Sequence, residues 1–534
     1  MLTPSAHQDT FCRDNLPPPQ SWPELVFDLP ELDYPDRLNC ATALLDATVA
    51  AFGRERPCLV GADRTWTYGE LLDRANQIAH VLVEEFGLVP GNRVLLRAPN
   101  TPALVACWFA TVKAGMVAVA TMPLLRANEL SGLIGITRPA LALCDDGLVD
   151  DLAAADPTLR IVALHAELAH LAQTKSTQHD DVQTAADDVV LLAPTSGTTG
   201  VPKATMHFHR DVLAIADTFG AHLLALRPDD VVIGTPPLAF TFGLGGLVIF
   251  PMRAGASVVL TERFGPDPLL TAIETFAVTV LVTAPTAYRA LLARDDLDRL
   301  TTLRRCVSAG EHLPEYVFDE FSQRTGLRII NGIGSTELLH VFISACDSDI
   351  RPGSTGRAVP GYRAEIHDQH GRPVPDGTPG QLAIKGPTGC RYLADPRQND
   401  YVRGGWNMTG DTYTRDSDGY FWYQARSDDM IVSSGYNIAA PEVEIVLDQH
   451  PDVLESAVVG LPDRQRGMIV HAAVVLREGV LGDDAKIAEL KQFVKQAAAP
   501  YKYPRSIEFV AGLPRNPSGK LQRFRVREAR EAQR

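Results

Sequence analysis

Close pairs of cysteine are missing from this chain. Its eight cysteines (Cys12, Cys40, Cys58, Cys107, Cys144, Cys306, Cys346 and Cys390) are scattered over 534 residues, which suits neither a zinc site nor a disulfide framework. A reducing cytoplasm is the compartment this implies. Positive charge is also scarce: 50 Lys and Arg stand against 65 Asp and Glu, a net charge of −15. That balance argues against non-specific binding to nucleic acid or anionic membranes and leaves any anionic ligand to local cations. The first residues, Met1 to Asp9, offer neither a basic region nor an apolar core, so no secretory signal is expected. One stretch, Val231 to Met252, has no charged residue and the length of a membrane span. Pro236, Pro237, Gly243, Gly245 and Gly246 interrupt it, and it reads as buried strand, loop and helix. Internal repeats and low-complexity tracts are absent, which excludes solenoids and linker arrays. A Walker A loop is absent too. That motif needs Gly, four residues, then Gly-Lys-Ser/Thr, whereas Val201 and Pro202 separate Gly200 from Lys203 and Ala204 follows.

What the chain does have is enough apolar content, 45% over 534 residues, to exceed one core and require at least two globular units. Strand-like runs at Arg93 to Leu96, Val189 to Leu192 and Val278 to Val282 alternate with helical stretches such as Tyr68 to Glu85. This is the pattern of an α/β fold with buried sheets. A charged stretch at Arg426, Ser427, Asp428 and Asp429 precedes a segment with its own strands (Ser456 to Val459, Ala472 to Val475) and helix (Ile487 to Ala497). The expected organisation is a large α/β domain over 1–427 and a small, mobile α+β domain over 428–534.

Two runs carry chemistry. Thr195, Ser196, Gly197, Thr198, Thr199 and Gly200 pack four hydroxyl residues and two glycines into six positions, with Lys203 just beyond. Backbone amides there can approach an anion while hydroxyls turn toward its oxygens. Near the other end, Asn516-Pro517-Ser518-Gly519-Lys520 sets a lysine on a Ser-Gly turn, where movement of its segment could deliver the cation into a cleft. Each run alone reads as a loop or a solvated charge, but the pair points to activation of a carboxylate by ATP.

With further motifs in order the chain resembles the acyl-adenylate-forming superfamily, which includes acyl-CoA and aryl-CoA ligases, adenylation domains and luciferases. The motifs are residues 195–203, Gly332-Ile333-Gly334-Ser335-Thr336-Glu337, Trp406-Asn407-Met408-Thr409-Gly410-Asp411, Arg426, Asp428-Asp429, Ser434-Gly435-Tyr436-Asn437-Ile438 and the run ending at Lys520. The resemblance implies that Thr336 contacts the α-phosphate and that Glu337 holds Mg²⁺, a hard cation that prefers carboxylate oxygen. Asp411 and Arg426 would hold the ribose, with Ser335, Gly310 and Glu311 on the nucleotide side. Lys520 and Mg²⁺ would supply positive charge where the acid attacks phosphorus. Asp428 would be the hinge about which the small domain turns before a thiol attacks the acyl carbon.

Three positions depart from the family pattern: Ile333 where tyrosine is frequent, Ala425 where glycine is common, and Ala204 after Lys203. None removes a charged group. Residues 203–211 and 332–340 resemble benzoate-CoA and 2-aminobenzoate-CoA ligases, which makes a small aromatic acid the expected substrate and CoA the expected acceptor. Phe240, Phe242, Gly243, Ala309, Ile333, Gly334 and His340 would then surround the acid, the two phenylalanines flanking a flat ring. His207 and His209 would share a face on a strand but have no metal-ligand partner at suitable spacing. An enzyme that loads an aryl group onto a carrier-protein thiol remains the alternative. A non-catalytic nucleotide-binding relative is disfavoured by the joint presence of Lys203, Glu337, Asp411, Arg426 and Lys520.

Overall fold

The computed structural model describes residues 2–61, 64–196, 202–262, 265–426, 429–433, 436–463, 467–498, 500–515 and 519–532. Its contacts divide the chain into two compact units, one of residues 1–364 with 383–407 and one of residues 365–382 with 408–534.

The larger unit contains two mainly parallel sheets, as its long apolar strands require. One has nine strands, in the order Arg357–Ala358, Val341–Ser344, Ile329–Gly334, Arg305–Ser308, Val280–Thr283, Val231–Gly234, Ser257–Val259, Pro57–Val60 and Thr65–Thr67. Its six inner strands run parallel, from Ile329–Gly334 to Pro57–Val60. The other has six strands, in the order Ile161–Ala163, Leu141–Cys144, Arg93–Arg97, Val117–Ala120, Val189–Ser196 and Pro202–Phe208, the last pair antiparallel. Val117, Val119, Leu192, Met206 and Phe208 fill the core under this sheet. Helices cover the sheets, and their starts follow local chemistry. Tyr68–His80, for example, opens on a capping box in which the Glu70 amide donates to Thr67 Oγ1 and the Thr67 amide to Glu70 Oε2.

Val231 to Met252 forms a strand, a loop and a helical stretch, as its prolines and glycines foretell. Among the described residues no helix is long and apolar enough to cross a membrane.

In the smaller unit, strands Tyr436–Ala439, Met430–Ser433, Gly467–Leu476, Val453–Asp463 and Ser506–Phe509 form one sheet. Side chains alternate along it. Val458, Val470, Ala472 and Val474 pack with Val443 and Leu490 of helices Ala440–Asp448 and Asp484–Ala497, while Ala457, Val459, Leu461 and Ala473 pack with Val526 of helix Arg523–Glu531.

Candidate active site

The functional motifs of the larger unit leave the carboxyl ends of neighbouring strands, where open α/β sheets place their ligands. Thr283 pairs with Ser308 and Ser308 with Asn331 in parallel register, so the segments after Gly234, Thr283, Ser308 and Gly334 emerge side by side. Ala309 is buried, and Gly310, exposed, has φ of +91°, a backbone state that a side chain would strain. Glu311 accepts a 2.7 Å hydrogen bond from Thr286 Oγ1. Ile333 and Gly334 end their strand half-buried, and a Cβ on Gly334 would stand 2.6 Å from the His340 carbonyl oxygen.

The turn after Gly334 is tightly built. Ser335 Oγ accepts from the Leu338 amide at 3.3 Å and caps the 3₁₀ turn Thr336–Leu338. Leu339 then takes φ of +70° although it is fully buried. A branched side chain in that region costs about 1–3 kcal/mol and persists only where the surroundings enforce it. Here it sends Glu337 and His340 out of one short turn to different neighbours.

Glu337 is 9% exposed and its Oε1 lies 3.2 Å from Lys203 Nζ. The same oxygen accepts from the Tyr392 hydroxyl, and that hydroxyl accepts from Lys203 Nζ. Thr336 is fixed through its backbone, its carbonyl oxygen lying 2.8 Å from His207 Nε2. His207 lies 3.9 Å from Asp211, which forms a fully buried ion pair with Arg391. His209 turns elsewhere, accepting from the Cys40 amide at 3.1 Å.

Strands Val189–Ser196 and Pro202–Phe208 are antiparallel neighbours, with Thr195 opposite Lys203 and the Ser196 backbone opposite Pro202. This antiparallel pairing is unlike the strand-to-helix unit of a P-loop. Gly197, Thr198, Thr199 and Gly200 lie outside the described residues, as does Asp428.

His340 is 3% exposed and enclosed by aromatic rings: Phe250 at 4.6 Å, Phe219 at 5.4 Å and Phe242 at 5.5 Å between centroids. Among the described residues neither ring nitrogen has a partner at hydrogen-bond distance. Burial pushes its pKa down to about 3, the nearby Phe242 backbone offsetting part of that, so the imidazole is neutral. Phe240 precedes helix Thr241–Leu244 and is half-buried, as is Phe242. Gly243 lies so close to Pro237 that a Cβ would meet its carbonyl oxygen at 2.1 Å.

In the smaller unit, Asp411 of strand Trp406–Arg415 stands opposite Arg426 of strand Phe421–Arg426 in antiparallel register. Asp411 is 9% exposed, and its amide donates to Thr409 Oγ1 at 3.2 Å. Lys520 is exposed, on a turn where Gly519 has φ of +81° and Arg515 donates to the Gly519 carbonyl at 2.8 Å. Three residues on, Arg523 pairs with Asp429 at 3.1 Å and with both oxygens of Glu444.

Reading the sequence missed Arg391, Tyr392 and Tyr401, and weighed His207 only as a metal ligand. The lone signal for these three is two tyrosines and two arginines within residues 391–401, which resembles any surface segment until the fold is known.

Two sheets thus bring Lys203 and Glu337 together, and a separate unit bears an exposed lysine. The chain belongs to the AMP-binding enzyme family, whose model matches residues 45–392 and whose C-terminal domain model matches residues 442–520. It is accordingly an AMP-forming acid–thiol ligase, and its relatives bear the names of CoA ligases. It is 35% identical over 514 residues to a benzoate–CoA ligase of Thauera aromatica, covering 94% of this chain and 98% of that protein. It is 34% identical to a 4-hydroxybenzoate–CoA/benzoate–CoA ligase of Rhodopseudomonas palustris over 94% of this chain and 95% of the other. Among solved structures, the anthranilate CoA ligase AuaEII in complex with anthranoyl-AMP superposes with a TM-score of 0.88 at 33% identity, covering 95% of this chain and 99% of that one.

Proposed function

We propose that the protein converts a small aromatic acid of the benzoate or 2-aminobenzoate type to its CoA thioester. The observation that carries this reading is the single turn 335–340, which bears Glu337 beside Lys203 and, three residues later, His340 within a ring-lined wall. Nucleotide chemistry and an aromatic acid would thus meet on one rigid element. The acid's carboxylate oxygen attacks the α-phosphorus of ATP, forming an aryl-adenylate as pyrophosphate leaves. A CoA thiol then attacks the acyl carbon and AMP departs.

In this reading residues 195–200 and Lys203 hold the phosphates, Thr336 meets the α-phosphate, and Ser335, Gly310 and Glu311 border the nucleotide. A lone carboxylate beside a phosphate cradle suits Mg²⁺, which keeps few protein ligands. Oε2 of Glu337 has no partner among the described residues and would be the oxygen offered to it. When bound, Mg²⁺ supplies Lewis-acid charge to phosphate oxygens. Asp411 and Arg426 hold the ribose. Lys520 meets the charge that develops at phosphorus, carried there by the domain of residues 428–534 turning about Asp428. Phe240, Phe242, Gly243, Ala309, Ile333, Gly334 and His340 enclose the acid. A neutral His340 can accept from or donate to an ortho substituent without repelling it. All eight cysteines are unpaired and seven are buried, which supports action in a reducing cytoplasm.

The test is AMP release with ATP and CoA across benzoate, 2-aminobenzoate, salicylate, cyclohexanecarboxylate and octanoate, with pyrophosphate exchange measured in parallel without CoA. Aryl-selective, CoA-dependent AMP release is expected. Exchange without CoA-dependent turnover would assign the acceptor role to a carrier-protein thiol, and no exchange with any aryl acid would sink the aromatic assignment.

A further inference from the structure

Two tyrosines outside every recognised motif touch three residues of the phosphate side. Tyr392 is fully buried and bridges Lys203 to Glu337. Tyr401 places its hydroxyl 3.2 Å from Ser335 Oγ, and its ring meets that of Tyr392 edge-on at 5.8 Å. The direction of the bridge is fixed by inventory: an ammonium can only donate, an ionised carboxylate can only accept, and a phenol has one proton to give. Lys203 therefore donates to Tyr392, which donates to Glu337.

The hydroxyls are not what holds this segment to the fold. The Leu393 amide donates to the Ala204 carbonyl at 2.9 Å and the Met206 amide to the Arg391 carbonyl at 2.7 Å. Gln398 accepts from the Tyr392 amide at 2.8 Å and donates to the Cys390 carbonyl at 3.1 Å. Backbone hydrogen bonds thus anchor the segment, and each hydroxyl reaches a nucleotide-side group. Both contacts to Glu337 fall on Oε1. The Lys203 ammonium also lies 4.0 Å from the Tyr392 ring centroid and 5.8 Å from that of Tyr401. Aromatic faces attract a cation without fixing which oxygen it binds.

We propose that Tyr392 and Tyr401 are a positioning pair for nucleotide binding. Tyr392 holds Lys203 as the internal counter-ion of Glu337 until phosphate oxygens take the ammonium over, and by occupying Oε1 it leaves Oε2 as the oxygen that would be offered to Mg²⁺. Tyr401 steadies Ser335 at the start of the same turn. This inference rests on the nucleotide-side assignment of Lys203 and Glu337 given above.

The experiment is calorimetric titration of ATP into the full-length wild type, Tyr392→Phe and Tyr401→Phe, once with Mg²⁺ and once with EDTA. Losing one hydrogen bond to a charged group should weaken Mg²⁺–ATP binding by about tenfold in Tyr392→Phe. Affinity in EDTA should change by less than about threefold, because the Glu337 contact matters only when the metal is present. Tyr401→Phe, which loses the neutral contact with Ser335 Oγ and leaves the Lys203–Tyr392–Glu337 bridge intact, should show a smaller Mg²⁺-dependent loss, about threefold. Wild-type affinity in Tyr392→Phe, or an equal loss with and without Mg²⁺, overturns the proposal, the second result being what a merely structural tyrosine gives. If Tyr392→Phe does not fold, Tyr401→Phe decides by the same criterion. No acid or thiol enters the titration, so a wrong aryl substrate leaves the inference standing, whereas a wild type that does not bind Mg²⁺–ATP overturns both.

Discussion

Replacing Gly245 by alanine sets two effects against each other whose sizes can both be worked out. Gly245 has helical backbone, φ of −61°, at the head of the π-helical stretch Gly245–Ile249. On propensity alone, alanine there gains up to about 1 kcal/mol. Its Cβ, however, would lie 2.3 Å from His340 Cδ2, 2.7 Å from Nε2 and 3.2 Å from Phe250 Cζ. Carbon atoms sit comfortably at about 3.5 Å or more, so the imidazole must retreat by about 1 Å. Rings of Phe219, Phe242 and Phe250 stand around it. Overpacking of this kind costs about 1–3 kcal/mol, which leaves Gly245→Ala destabilised by up to about 2 kcal/mol after the full propensity gain. In a His340→Ala background the obstacle is gone, and the same substitution should become neutral or stabilising by up to about 1 kcal/mol. Urea unfolding followed by tryptophan fluorescence measures this, because Trp22, Trp66, Trp108 and Trp406 all lie in the larger unit. An effect of the same sign and size in both backgrounds would refute the packing argument, since only a contact with His340 makes the two differ.

Lys520 is exposed, so Lys520→Ala should shift stability by less than about 0.5 kcal/mol while lowering pyrophosphate exchange at least about 100-fold with ATP binding retained; undiminished exchange would remove Lys520 from the chemistry. Asp211 and Arg391 are a fully buried pair. Arg391→Met should therefore cost about 3–5 kcal/mol by stranding the carboxylate, and adding Asp211→Leu should recover much of it; equal stability of the single and double variants would argue against the pairing. His209 and His340 both have pKa values held down to about 3 by burial. Their folded pKa lies below the unfolded 6.5, so neither affects stability above pH 6.5. As pH falls from there toward 3, the unfolded chain takes up protons that the folded one refuses. Each then removes about 1.4 kcal/mol per pH unit. His340→Phe should lower the slope of unfolding free energy between pH 6.5 and 5 by up to about 1.4 kcal/mol per pH unit, His209, His312 and His7 keeping the rest, and an unchanged slope would mean that the ring already protonates in the fold.

The candidate groups stand out in the sequence where the signal is local. Residues 195–203 and 516–520 concentrate glycines, hydroxyls and lysine within a few positions, and the two-residue alternation of Ala457, Val459 and Leu461 against Val458 shows the small sheet directly. What holds these groups was not legible, because it is long-range. Tyr392 reaches Lys203 across 189 positions and Glu337 across 55, and nothing at either end marks the contact. His207 and His209 show a second cause. On a continuous strand they would share a face, but the strand stops at Phe208 and a helix begins at His209, so one ring goes to the Thr336 carbonyl and the other to the Cys40 amide. Leu339 shows a third: leucine has no preference for positive φ, and only the packed turn imposes it.

The interleaving of the two units along the chain has a consequence for synthesis. Residues 365–382 belong to the second unit, yet they leave the ribosome before 383–407, which complete the first. A nascent chain halted at residue 364 would hold Lys203, Thr336 and Glu337 but not Tyr392, Tyr401 or Arg391. The phosphate-side groups would then exist without the neighbours that orient them, and Asp211 would lack its buried cation. Limited proteolysis of ribosome-stalled chains should therefore show protection of the 203–211 segment only after residue 407 has cleared the exit tunnel. The neighbours that bridge Lys203 and Glu337 thus arrive late in translation, from a short downstream segment that an N-terminal fragment lacks.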